Sequence, residues 1–142
     1  MAATEPIRDK KQLKALANYF LKRGQLRNYT LIVMGTSTAL RISDLLQLRW
    51  SDVYDELHST FRTHITIIEK KTKKTKTIAL NKQVLQALRL YFPHRRGDFI
   101  FVSNRKEGKA ISRVQAWRII HAAVVAVVML LSASGNKNVL ML

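Results

Sequence analysis

Leu13, Leu16, Ala17, Phe20 and Leu21 follow one another at three- and four-residue spacing, the period of one helical face. The pattern predicts a helix beginning at Asp9, with Lys10, Lys11, Lys14 and Lys22 on its outer side and Gly24 as its stop. A second helix is expected from Arg27 to Thr38, through Leu31, Ile32, Val33 and Met34. A third and shorter one would be capped by Ser43 and lead through Leu45, Leu46 and Leu48 to Trp50. The texture then changes. The run from Thr63 to Glu69 is β-branched and partly alternating, which predicts a strand, and Thr75 to Leu80 reads as its partner. Lys70, Lys71, Thr72, Lys73 and Lys74 lie between them, so the expected hairpin carries a lysine-loaded tip.

Asn81 is placed to cap the next helix, whose face holds Val84, Leu85, Leu88 and Tyr91 and which Pro93 ends. Phe99 to Val102 predicts a short apolar strand or extended segment, followed by a polar, basic loop from Asn104 to Lys109. Ser112 can cap a last helix through Trp117 and Ile120, with Trp117 expected in the core and His121 on the surface. From Ala122 to Leu131 there is no charge and no polar face, and a helix of that kind must be buried or paired. The expected class is α+β, mainly helical, with a small antiparallel hairpin. The expected division is residues 1–121 as the domain and 122–142 as an apolar tail.

Composition sharpens the picture. Twenty-five Lys and Arg against nine acids give a net charge of +16 in a chain of 142 residues. Self-repulsion on that scale weakens a compact fold, and the basic residues are clustered, so a polyanion such as double-stranded DNA is the expected partner. The chain has no cysteine, which excludes disulfides, thiolate chemistry and cysteine-bound zinc. His58, His64, His94 and His121 show no metal-ligand spacing, so neither metal nor cofactor is expected. A polar start after Met1, and an apolar run well short of the roughly 20 residues of a membrane span, predict a cytoplasmic protein without a membrane partner.

Three segments hold candidate chemistry. In the first, Thr38 to Asp52, Arg41 precedes a cappable helix, and a guanidinium at an exposed turn offers two parallel hydrogen bonds to a phosphate. Asp44 is three residues on and could hold it, although the same spacing also suits an ordinary surface ion pair. In the second, the hairpin tip, Lys70, Lys71, Lys73 and Lys74 suit either a solvated turn or phosphate contact. A lysine there could also protonate a leaving oxygen. In the third, Ser103 to Arg118, Arg105 and Lys106 occupy the loop. Ser112 and Arg113 stand at a helix start, where backbone N–H groups favour phosphate.

The first segment resembles the first arginine box of the tyrosine recombinases, the phage-integrase family: Thr-Gly-x-Arg-x-Ser-Glu-Leu, then Leu-x-Trp-x-Asp. Arg41, Asp44, Leu45, Leu48, Trp50 and Asp52 are in register, and Ala39 stands where glycine is usual. The resemblance implies the front part of a recombinase catalytic domain. Arg41 would contact the scissile phosphate, Asp44 would support it, and a hairpin lysine would be catalytic. Lys71, before Thr72, fits that lysine best, with Lys73 and Lys74 as rivals.

The rest of the family pattern does not follow. No histidine has an arginine three residues later, and Tyr19, Tyr29, Tyr54 and Tyr91 all fall outside the region expected for the nucleophile. The resemblance therefore covers about residues 7–121, and the tail reads as a truncation or a shifted reading frame. The expected function is that of a DNA integrase or site-specific recombinase, inactive alone and potentially acting with other recombinase protomers on DNA. A non-catalytic DNA-binding module, or an interaction protein recruiting a partner through its apolar tail, are the alternatives.

Overall fold

The structure is a computed structural model, and it describes residues 10–133. The elements run α1 (Lys10–Lys22), α2 (Leu26–Thr38), α3 (Ile42–Leu46), α4 (Trp50–Val53), β1 (Tyr54–Asp55), β2 (Thr60–Phe61), β3 (His64–Ile68), β4 (Thr75–Ala79), α5 (Lys82–Tyr91) and α6 (Arg113–Ala133), with a 3-10 turn at Phe92–His94. The expected class, mainly helical with small antiparallel sheets, is what the chain adopts.

Local signals set most boundaries. Gly24 closes α1 in the left-handed region at φ 69°. The Asn81 side chain accepts the Val84 N–H at 2.9 Å, and the Ser112 hydroxyl accepts the Gln115 N–H at 3.1 Å, so both expected caps form. Ser43 caps nothing. It lies inside α3, and Arg41 is the residue at the helix entry, with its carbonyl accepting from Asp44 and Leu45. Pro93 lies within the 3-10 turn that follows α5.

β3 and β4 pair antiparallel, with Ile65 opposite Ile78 and Ile68 opposite Thr75. Ile65 is buried while His64, Thr66 and Ile68 face outward, the alternation expected of a half-buried hairpin. β1 and β2 form a second, two-residue hairpin that the hydrophobic pattern does not announce. The segment 99–102 forms no strand: it bends at Ile100 and Phe101 and is tied by single bridges at Arg49–Phe99 and Val102–Ala110.

The main core gathers Leu31, Met34, Leu45, Val53, Ile65, Val84 and Leu88 from α2, α3, α4, β3 and α5, together with Leu48 between α3 and α4 and Ile100 and Phe101 of the bridged segment. Trp50 packs against Tyr91 and Phe92 with ring centroids 5.3 Å away in each case. A second cluster joins Leu16 and Phe20 of α1 to Ile32 and to Ala123, Val124 and Val127 of α6.

Three expectations about the C-terminal part are corrected. Neither Pro nor Gly interrupts Arg113–Ala133, so the helix through Trp117 and the apolar run after His121 are one helix of 21 residues, with no element boundary at residue 122. Its length and composition alone would suffice to cross a membrane, so the argument from a short run does not hold. One side of it is committed to the protein core, where it packs on α1. Nor is Trp117 in the core. It is 63% exposed and stacks on His121 at 4.7 Å, because the inward positions of α6 are taken by Ala116, Ala123 and Val124. Val125, Met129 and Leu130 are exposed as well. Residues 132–138 have a turn-like composition; Ser132 and Ala133 continue α6, and the rest lie outside the described residues.

Candidate nucleic-acid interface

Arg41 sits at the entry of α3 in extended conformation (φ −65°, ψ 146°), with its side chain exposed. The chain reaches it through Ala39, which adopts a left-handed conformation at φ 55°. Such a turn favours glycine, because a Cβ crowds the following carbonyl there. The departure at Ala39 thus falls on the one position of the box whose backbone calls for glycine.

Asp44 is buried, 8% exposed, inside the first turn of α3. Its Oδ1 accepts the backbone N–H of Lys70 at 3.0 Å, while its Oδ2 is buried without a hydrogen-bond partner among the described residues. The carboxylate therefore reaches across to the hairpin, and no ion pair between it and Arg41 occurs among the described residues. The bond fixes the lysine tip relative to the arginine box.

The tip itself is held by its backbone and by the side chains of Glu69 and Thr72. The Glu69 N–H donates to the Lys74 carbonyl at 2.9 Å, and the Lys73 N–H to the Glu69 carbonyl at 2.9 Å. Thr72 donates to the Glu69 carboxylate at 3.1 Å and accepts from the Lys74 N–H at 3.3 Å. Lys73 takes a positive φ of 60° to close the turn. Lys70, Lys71, Lys73 and Lys74 are all exposed, so four ammonium groups project from a defined turn.

The basic loop is equally organised. Buried Ser103 accepts the N–H groups of Arg105 and Lys106, each at 3.1 Å, and its own N–H donates to the Lys109 carbonyl at 2.7 Å. Arg105 and Lys106 point outward and line, with Ser112 and Arg118, a cleft of about 510 Å³. Arg113 shares a second cleft with Ile42, which places the start of α6 beside the start of α3. Loop, α6 start, arginine box and hairpin thus form a connected series. Arg118 is not singled out by the sequence; it lies three and four residues after Gln115 and Val114, the spacing of one helical face, and lines the same cleft as they do.

With the hairpin and the α6 start adjoining the arginine box and the basic loop adjoining α6, these segments make a connected basic surface suited to a phosphate backbone. The fold is that of known tyrosine recombinases. The chain is similar to a XerA recombinase (TM-score 0.64, 19% identity, covering 97% of this chain and 47% of that one). It is also similar to a λ integrase tetramer bound to a Holliday junction (TM-score 0.63, 16% identity, 87% and 36%). A third similar structure is the Tn1549 transposon integrase in complex with circular intermediate DNA (TM-score 0.63, 19% identity, 95% and 46%). In sequence it is 33% identical over 127 residues to the "Probable integrase/recombinase YoeC" of Bacillus subtilis (strain 168), covering 89% of this chain and 66% of that protein. The chain belongs to the Phage integrase family, which it matches over residues 8–130. It spans about two thirds of the length of YoeC and about half that of the XerA recombinase.

Proposed function

We propose that this chain binds double-stranded DNA and supplies the arginine-box half of a recombinase active site, for integration or recombination by strand breakage and rejoining. The observation that carries this reading is the Asp44–Lys70 bond, which locks the lysine hairpin to the helix that Arg41 opens. Arg41 would stabilise charge developing on the scissile phosphate. Lys71, or its neighbours Lys73 and Lys74, would lie over the same phosphate and assist the leaving 5′-oxygen. Asp44 supports the pair by holding the hairpin. Arg105, Lys106, Ser112 and Arg113 would contact the flanking backbone, with no metal or cofactor taking part. Such a protein would work in the cytoplasm with its DNA, beside other recombinase protomers. In the 1–121 and 122–142 division, the arginine box, hairpin and basic loop belong to the first part.

A purely DNA-binding role for these residues is the second reading, favoured by the placement of the tyrosines: Tyr91 is buried with its hydroxyl donating to the Ile100 carbonyl, and Tyr54 packs on Phe61 and Phe92. The test is equilibrium binding to a duplex at several salt concentrations. Release of six counterions, for example, gives a log–log slope of roughly −5. A flat response would sink the DNA-binding reading, and an Arg41→Ala protein that binds as before but supports no strand exchange with added partner protomers would separate the catalytic role from simple binding.

A further inference from the structure

At the other end of α2 from the arginine box lies a pocket that none of this uses. Arg27 opens it, half-buried. Its Nε donates to the Asn28 amide oxygen at 3.0 Å and its Nη1 to the Val102 carbonyl at 2.9 Å, both neutral partners. Burial depresses the Arg27 pKa, and neighbouring Arg96 depresses it further. Burial also pushes the Tyr91 phenol up, against the pull of the same two arginines. Arg96 is held over the mouth by its bond to the Asn104 amide oxygen at 2.9 Å. His94 completes the rim, and no residue lining the pocket is acidic.

This arrangement is costly as it stands. Exposed lysines such as those of the hairpin tip keep their water, but a half-buried guanidinium has lost part of its hydration and is ordinarily paired. Here a second guanidinium faces it. We propose that the pocket is an anion site that takes a phosphate group, held between Arg27 and Arg96 with His94 at the rim. Arginine presents a planar fork of donors matched to phosphate oxygens. The volume, about 530 Å³, accommodates a short run of phosphates or a small phosphorylated molecule. The site is separate from Arg41, since about 16 Å of helix rise lies between Arg27 and Thr38. The phosphate could belong to a nucleic-acid backbone, reached past the neighbouring basic loop, or to a free polyphosphate.

Tripolyphosphate is the probe, titrated calorimetrically into the full chain. The informative variants are Arg96→Glu and the pair His94→Ala with Arg96→Ala, all at exposed positions. Arg27→Ala would also release the Val102 carbonyl and is not relied on. Saturable binding weakened roughly tenfold or more in both variants, and unchanged in Lys82→Ala, an exposed lysine that does not line the pocket, is expected. If duplex affinity falls with it, and the salt slope drops by about one, the natural phosphate is that of DNA. If duplex affinity holds, the ligand is a free phosphate compound. Absent saturation in the wild-type chain, or variants that bind tripolyphosphate as well as it does, would overturn the proposal.

Discussion

The carboxylate of Asp44 accepts the backbone N–H of Lys70 at 3.0 Å, across the gap between α3 and the β3–β4 hairpin. Twenty-six positions separate the two residues, and the bond is partly buried. A charged acceptor shielded from water holds its donor more firmly than a neutral one, at about 1.5–3 kcal/mol. Asp44→Ala should therefore destabilise the fold by about 1–3 kcal/mol and speed amide hydrogen exchange at Lys70. Asp44→Asn keeps an acceptor and should retain more of the protection. Exchange at Lys70 that ignores both changes would show that the hairpin is positioned by something else.

The lysine tip offers a second test. Lys71 is exposed on a turn whose backbone is already bonded through Glu69, Thr72 and Lys74, so removing its ammonium should leave the fold intact. Lys71→Ala should weaken duplex binding evenly across sequences and reduce the salt slope by about one. Competition binding with unrelated duplexes measures both. An affinity equal to wild type would leave Lys71 as a solvated residue and move attention to Lys73 and Lys74.

Ala39 occupies a left-handed turn at φ 55° just before Arg41. A residue with a Cβ spends about 1–2 kcal/mol there, and glycine's extra freedom in the unfolded chain returns about 0.4–1 kcal/mol of that difference. Ala39→Gly should thus raise stability by about 0.5–1 kcal/mol, seen as a higher urea midpoint at unchanged slope. A lower midpoint would mean that the turn relaxes to suit alanine.

Much of the fold was legible because short-range signals agreed with one another. α1 follows from its apolar spacing and Gly24, α5 from the Asn81 cap, and the hairpin from β-branched runs flanking the lysines. The misses have a common cause, which is that burial is decided by neighbours distant in sequence. Trp117 is a large apolar residue on a helix, and nothing in its own segment says that the inward places are already filled by Ala116 and Ala123. α4 and the two-residue strands β1 and β2 are too short to carry a period, and they rest instead on contacts such as the Asp52 carboxylate accepting the Arg49 N–H at 2.8 Å. At the site, Arg41 and Asp44 stand out through the resemblance to the arginine box, since their spacing alone suits an ordinary ion pair as well. The Asp44–Lys70 bond and the Arg27–Arg96 pocket could not be read from the sequence, since each joins separate segments.

Trp117 lies on the exposed side of α6. Its ring lies 63% exposed against His121, whereas Leu45 is 1% exposed in the middle of the core. Leu45→Ala should cost about 2–5 kcal/mol, and Trp117→Ala less than about 1 kcal/mol. Denaturant unfolding of both variants decides the matter. A Trp117 cost as large as that of Leu45 would mean that the indole is covered in solution.

The 142-residue chain should form no covalent link to DNA. In the family it belongs to, the expected chemistry is attack by a tyrosine on a phosphate, and such a nucleophile must be exposed and aimed at the reacting atom. None of the four tyrosines meets that demand beside Arg41. Tyr91 is buried, with its hydroxyl donating to the Ile100 carbonyl at 2.8 Å and its pKa raised by burial. The Tyr54 ring packs on Phe61 and Phe92. Tyr19 lies in α1 beneath the Arg23 guanidinium, and Tyr29 lies in α2 against both core clusters. Incubation with a nicked suicide duplex, followed by a denaturing gel, tests this directly. The expected result is free DNA alone. An adduct that persists in the wild-type chain and vanishes in a single tyrosine-to-phenylalanine variant would identify a nucleophile that the fold does not suggest. Adding a tyrosine-bearing recombinase to the same mixture would then distinguish attack in cis from a residue lent by a neighbouring protomer.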